Sequence, residues 1–350
     1  MSVTLREVAA LAQVSIKTVS NVVNSSANVR PETREKVERA IRALGYRPNL
    51  SARSLRSGKS HVISLVVPEI GLNYFAQLAE HITESAAKAG YSVQLEQTGG
   101  DRSKEIAMLS SPQRVLADGL IFSPLGMSQD DEELLRVEYP MVLLGERIFN
   151  GPVDHVTMRN VDAAAAATRH LIAAGRRRIA VIGAHANEKL GSAALRFKGY
   201  KSALNEAGIP YDPRLVGYTD LWHSRNGAQA MRELLASGID FDAVFAMNDA
   251  LGIGVIRALN EARRRIPDEV AVIGFDNVTE GEFSMPSLST VDPGRAEIAE
   301  VALSFLLERI ENREAAPLRP REHLVDFKLC LLYTSPSPRD LSTSRMPSSA

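Results

Sequence analysis

From residue 61 to residue 276 the chain alternates short, β-branched apolar runs with longer amphipathic stretches, and that rhythm leaves few folds open. HVISLVVP (61–68) is followed by helical periodicity over 74–89 and then by YSVQLEQ. A helical stretch reaching Ala117, then GLIFSP and PMVLLG (140–145), completes a first series. A second series runs through helical 161–174, RIAVIG (178–183), helical 195–207, LVGYT, helical 226–236, DAVFAMND (242–249), a helix ending at Arg263 and EVAVIGFD (269–276). Strands alternating with helices predict parallel sheets covered by helices on both faces. Two such series predict two similar, doubly wound lobes.

The first 60 residues obey a different pattern. They hold 11 basic and 4 acidic residues, a net charge of +7, whereas the remaining 30 basic and 38 acidic residues give −8. A small basic head on an acidic body points to nucleic-acid binding at one end and to ligand binding or catalysis at the other. With 45% hydrophobic and 24% charged residues, 350 residues make a globular protein of two or three domains. The single cysteine excludes an internal disulfide framework and fits a reducing compartment, so a cytoplasmic location is expected. MSVTLREVAALAQVS has no continuous apolar core of a signal peptide. No apolar run reaches the about 18 residues of a membrane span.

Within the head, TLREVAALA (4–12) sets Leu5, Val8, Ala9 and Ala12 at helical spacing behind Thr4 as N-cap. After a break at Gln13-Val14, Ser15 can cap a second helix over 16–24, whose Val19, Val22 and Val23 face inward. A third helix starts at Pro31 and is stopped by Gly45. This is a helix-turn-helix pattern, in which the second helix enters the major groove. Lys17 can donate to guanine, Asn21 can pair with adenine, and Ile16 can pack on a thymine methyl. Ser15, Thr18 and Ser20 are sized for phosphate contacts. A three-helix protein-interaction domain would share the helical pattern, and the charge asymmetry weighs against it.

Between head and body lies NLSARSLRSG (49–58). It contains helix-forming residues over barely two turns, and isolated helices below about 12–15 residues are marginal in water. It should be helical only when something else holds it. Leu55, flanked by Arg53 and Arg56, is either a linker residue packing on a neighbour or a wedge for something anionic.

REVAALAQVSIKTVSNVVN, followed by VRPETREKVERAIRALGYRPNLSARSL, resembles the head and hinge of the lac-repressor/gal-repressor family of bacterial transcription regulators. Two positions depart from the family pattern: Gln13 replaces the usual turn glycine, and Asn21 stands where many relatives have arginine. The resemblance implies an all-α helix-turn-helix head over 1–48, a hinge helix over 49–60, and an α/β body over 61–329 like a periplasmic sugar-binding protein. It places a first lobe at about 61–160 with a return near 290–320, and a second at about 161–289 with 321–329. It implies a homodimer on double-stranded, near-palindromic operator DNA. DNA contacts would then extend from the second helix to Asn24 and, in the hinge, to Asn49, Ala52, Arg53, Leu55 and Arg56. Leu55 would wedge between base steps of the minor groove.

A cleft between the lobes would hold a small effector, since ligands of open parallel sheets bind outside the carboxyl ends of the strands. Tyr74 and Phe75 follow the first strand, while Asn248 and Asp276 end later ones. Ser192 and Arg196 match the family's loop-to-helix entry, and Trp222, the only tryptophan, falls where relatives carry a cleft aromatic. Arg, Asp and Asn beside an aromatic face suit a polyhydroxylated ring, so a sugar or sugar derivative is expected, with a purine or nucleoside as the alternative. Phe75 could instead be core, Asp276 a helix cap, and Arg196 with Asp276 an interlobe salt bridge. Arg159 stands near an acidic position of relatives.

Enzyme signatures are missing. Gly252-Ile253-Gly254 lacks the third glycine of a dinucleotide fingerprint, Gly58-Lys59-Ser60 lacks the first glycine of a phosphate loop, and neither a nucleophile elbow nor a zinc-protease helix occurs. The expectation is a transcription regulator, most simply a repressor, with no catalytic residue, cofactor, metal or membrane partner. Residues 330–350 are expected to be a disordered tail foreign to the fold, because 11 of the 18 residues in YTSPSPRDLSTSRMPSSA are Ser, Thr or Pro.

Overall fold

The computed structural model describes residues 3–23, 29–46, 59–111, 116–313 and 319–335. The chain divides into two compact units, Met1–His61 and Val62–Ala350.

The first unit is three helices: α1 (Leu5–Ala12), α2 (Ile16–Val23) and α3 (Pro31–Leu44). Val8, Val19, Val22, Val37 and Ala40 form its small core. Thr4 and Glu7 make a reciprocal capping box: the Thr4 N–H donates to Glu7 Oε2 at 2.7 Å and the Glu7 N–H to Thr4 Oγ1 at 3.4 Å. Gln13 is left-handed, φ 54°, ψ 45°. Its N–H bonds Ala10 O at 3.3 Å and the Val14 N–H bonds Ala9 O at 3.1 Å, the pairing that normally places glycine after a helix. A side chain in this conformation costs about 1–2 kcal/mol, offset here by carbonyls that would otherwise lack partners. The turn is therefore left-handed with glutamine in place of glycine.

The second unit contains, in order, β1 (Val62–Val67), α4 (Asn73–Lys88), β2 (Ser92–Gln97), α5 (Arg102–Leu109), β3 (Gly119–Phe122), β4 (Met141–Leu144), β5 (Asp154–Met158), α6 (Asn160–Ala173), β6 (Ile179–Ala184), α7 (Ser192–Glu206), β7 (Val216–Tyr218), α8 (Ser224–Ala236), β8 (Ala243–Ala246), α9 (Asp249–Glu261), β9 (Ala271–Ile273), α10 (Thr279–Glu282), β10 (Thr290–Asp292), α11 (Arg295–Glu311), β11 (Glu322–Val325) and β12 (Lys328–Cys330). One parallel sheet has the order β11-β5-β4-β3-β1-β2, a second the order β7-β6-β8-β9, and β10 pairs antiparallel with β12. Strands buried along their whole length, such as β3, β4, β6 and β8, form the two lobe interiors.

The last part of the chain departs from the sequence expectation. LVDFKL reads as one strand of the second lobe, yet it is two. β11 joins the first sheet beside β5, whereas β12 pairs with β10, which sits with the second lobe through an Ile273–Ser289 bridge. The return of 290–320 to the first lobe accordingly begins at α11, which packs on β3, β4 and β5. The polypeptide thus crosses between lobes after β5, after β10 and after β11. Gly294 marks how closely two crossings approach: at φ 75°, a Cβ there would meet Val325 Cγ1 at 2.5 Å and Asp326 O at 2.8 Å.

The packed chain also runs past residue 330, where a foreign tail was expected to start. Thr334 and Ser335 are buried; the Val272 N–H donates to Thr334 O at 2.9 Å, and His170 Nε2 lies 2.6 Å from Ser335 Oγ. Composition misleads here because backbone groups and hydroxyls, not apolar side chains, dock these residues. Residues 336–350 lie outside the described residues.

Candidate functional site

In the head, Ser15, Ile16 and Lys17 are exposed at the start of α2, and Thr18, Ser20 and Asn21 are partly so. Ser15 caps the helix: the Thr18 N–H donates to its hydroxyl at 3.0 Å, and the two hydroxyls lie 2.9 Å apart. Val19 and Val22 anchor the opposite face in the core, so Ile16 and Lys17 project from a fixed helix end. Asn24, Asn49, Ala52, Arg53, Leu55 and Arg56 lie outside the described residues.

In the body, a cavity of about 190 Å³ opens between the two lobes, and all seven residues expected to hold an effector line it. The first lobe supplies Tyr74 and Phe75 from the first turn of α4, their rings edge to face with centroids 5.2 Å apart. Phe75 also packs on the core, so its two readings coexist. The second lobe supplies Ser192 and Arg196 from α7, Trp222 from the loop before α8, Asn248 after β8 and Asp276 after β9.

Arg196 is the hub. It is 3% exposed, donates from Nε to Asn160 Oδ1 at 2.8 Å, bonds the Met247 carbonyl, and meets Asp276 Oδ1 at 3.4 Å. Its guanidinium lies 3.6 Å above the Phe275 ring and 5.2 Å from that of Trp222. Both partners of the Arg196–Asp276 pair belong to the second lobe, so it is not an interlobe bridge. Nor is Asp276 a helix cap: Val278 precedes α10, and the Asp276 carboxylate faces Arg196.

Asp276 has φ 114°, a strained conformation for a side-chain-bearing residue. Arg295 holds it there, donating to the carbonyls of Asp276 at 2.5 Å and Asn277 at 3.2 Å. Burial pushes the Asp276 carboxyl up to about 6, against the pull of Arg196 and Arg295. Burial, with the charges of Asp276 and Glu146, pushes the Tyr74 phenol far above its ordinary range, so it remains a donor. Asn248 caps α9, accepting from the Leu251 N–H at 2.8 Å, and its amide nitrogen donates to the Trp222 carbonyl at 3.2 Å. The Trp222 indole is fixed in turn by Gly183 O at 2.8 Å.

Sequence reasoning missed the polar groups that join the lobes. Ser192 Oγ donates to Glu146 Oε2 at 2.5 Å, Arg147 meets Glu188 at 3.1 Å and the Leu190 carbonyl at 3.0 Å, and His223 meets Glu69 at 2.9 Å. Burial acts to raise the Glu188 carboxyl, but His185, 2.7 Å away, and the Arg147 charge outweigh it and hold it below the usual range. Glu69, Glu146, Arg147 and His185 all lie just past strand ends, so the strand-end rule could have found them. Arg159 does not line the cavity; it pairs with Asp326 at 2.6 Å. Among the described residues, no group of three or more His, Cys, Asp or Glu is arranged to hold a metal, and no helix is long and apolar enough to cross a membrane.

A family model for bacterial regulatory proteins of the lacI family matches residues 4–49, and one for a periplasmic binding protein-like domain matches 168–326. Catabolite control protein A of Priestia megaterium is 32% identical over 331 residues, covering 94% of this chain and 99% of that protein. The chain belongs to the lacI family. Among solved structures, the CelR–cellobiose complex is 30% identical, with 95% of this chain and 99% of that one covered and a TM-score of 0.69. The Lac repressor dimer bound to operator and the anti-inducer ONPF is 25% identical, with coverage of 96% and 100% and a TM-score of 0.79. This LacI-family protein is thus a repressor-like, DNA-binding transcription regulator and not an enzyme, with a helix-turn-helix head and a two-lobed body.

Proposed function

We propose that this LacI-family regulator binds a sugar or sugar derivative between its lobes, and that this binding sets its affinity for a near-palindromic operator read by a dimer. The observation that carries the reading is the chemistry around one cavity. Carboxylates of Glu146 and Asp276 accept only, the guanidinium of Arg196 donates only, and the rings of Tyr74 and Trp222 stand beside them. Vicinal hydroxyls both donate and accept, and one face of a pyranose is apolar enough to stack. The CelR relative solved with cellobiose supports the same direction. Contacts from both lobes around one cavity suit a domain-closure switch, in which effector and operator affinities are coupled reciprocally.

A thermal-shift screen of the full chain against monosaccharides, disaccharides and nucleobases tests this. A sugar at about 100 times its dissociation constant should add about 2.7 kcal/mol of stability. Stabilisation by nucleobases alone would establish the purine reading instead.

The DNA end has its own test. Lys17→Ala should cost about 1–3 kcal/mol in binding and relax the preference at a single base pair. Selection from a random duplex library, with wild-type and variant protein side by side, reads both effects. Equal weakening on every sequence would make Lys17 a phosphate contact.

A further inference from the structure

We propose that the effector carries a positively charged amino group, in chemical class an amino sugar, and that this group docks on Glu146. The inference rests on the sugar reading above and narrows it. Of the four other carboxylates of the cavity, Asp220 is exposed, and three face a basic group: Glu69 faces His223 at 2.9 Å, Glu188 faces Arg147 at 3.1 Å and Asp276 faces Arg196 at 3.4 Å. Glu146 does not. It is 6% exposed, and its side-chain donors are two hydroxyls, Ser192 Oγ at 2.5 Å and Thr157 Oγ1 at 3.5 Å. No arginine, lysine or histidine nitrogen among the described residues lies within 4.0 Å of it.

A hydroxyl satisfies the hydrogen-bonding capacity of a carboxylate but leaves its charge, and an uncompensated buried charge is strongly disfavoured. An ammonium supplies donors and charge together, and such charge-assisted bonds are the strong ones. The cavity is also poorly equipped for the opposite sign. Arg147 is held by Glu188 and the Leu190 carbonyl, and Arg196 by Asn160, the Met247 carbonyl and Asp276. Each guanidinium already faces a carboxylate, so neither charge is in surplus for a phosphate or a carboxylate, while Arg196 Nη2, 3.6 Å from the Met158 sulfur, can still donate to a neutral hydroxyl. Tyr74, which feels the Glu146 charge and stays protonated, adds a ring face of the kind that favours a cation.

The test is calorimetric titration of the full chain with D-glucosamine, D-galactosamine and D-mannosamine, each beside its parent hexose and its N-acetyl derivative, with adenine, guanine and hypoxanthine as a separate arm. One amine should bind about tenfold or more tighter than both of its neutral counterparts, and Glu146→Gln should close that gap. Neutral hexoses binding as well as or better than the amines overturn the inference and leave the sugar reading standing. Binding of nucleobases alone, or of no compound in either arm, overturns both. The wild-type comparison decides between these outcomes even if the variant does not fold.

Discussion

Replacing Arg196 with methionine is expected to destabilise the body by about 3–5 kcal/mol, the scale for breaking a buried ion pair by removing one partner. Methionine preserves length and apolar bulk, so the loss reports the guanidinium and not a cavity. Three oxygen acceptors depend on that group, the Asn160 amide oxygen, the Met247 carbonyl and the Asp276 carboxylate, and so does the Met158 sulfur. Its contact with Phe275 at 3.6 Å would also be lost. Urea unfolding followed by the fluorescence of Trp222, the only tryptophan, places the reporter beside the substitution, since its ring lies 5.2 Å from the guanidinium. The mid-transition urea concentration should fall sharply with an unchanged slope. A loss below about 1 kcal/mol, the size of an ordinary surface contact, would mean that water or a side-chain shift replaces the guanidinium, and that the hub is not structural. The same variant should lose effector binding, because Asp276 would then lack the cation that orients it.

That hub was legible in the sequence because it combines a family motif with strand ends, and both are local signals. DAVFAMND and EVAVIGFD each end on a polar residue after an unbroken apolar run, which puts Asn248 and Asp276 at the carboxyl edge of a sheet. PMVLLG obeys the same rule and so points to Glu146-Arg147, but nothing local shows that Glu146 is buried. What buries Glu146 is the opposite lobe, through Ser192, 46 residues away. The strand DHVTM was illegible for a related reason. Asp154, His155 and Thr157 are all buried, and their partners are distant in sequence: Arg309 and Arg321 for Asp154, Glu322 for His155. A strand with three buried polar side chains has no alternation to read until those partners arrive. LVDFKL fails similarly, because nothing local shows that the strand divides at Asp326 to serve two sheets.

The second large effect is expected at Asp276, and it depends on pH. Its carboxyl is raised to about 6 in the folded protein from the ordinary aspartate value of 3.8. Between those values the native state holds a proton that the unfolded chain has released. This group therefore favours the fold below pH 4, and that contribution, about 3 kcal/mol across the window, drains away as pH rises to 6. Neutral pH leaves a buried carboxylate ionised at a stability cost, accepted in exchange for an oriented acceptor in the cleft. Asparagine keeps the shape and is among the residues that tolerate positive φ, so Asp276→Asn removes the titration without adding backbone strain. The stability of wild type minus that of the variant, measured by urea unfolding from pH 4 to 7, should decline with rising pH, and carboxylates unaffected by the substitution cancel in the difference. Asp249, pushed up by burial and by the Asp276 charge, relaxes in part in the variant, so the curve reads the two residues together. At pH 7 the variant should still bind DNA selected by the wild-type protein, with no response to the effector. A flat difference curve would show that Arg196 and Arg295 hold Asp276 ionised throughout, and a normal effector response would move the ligand away from the strand end on which the whole cleft converges.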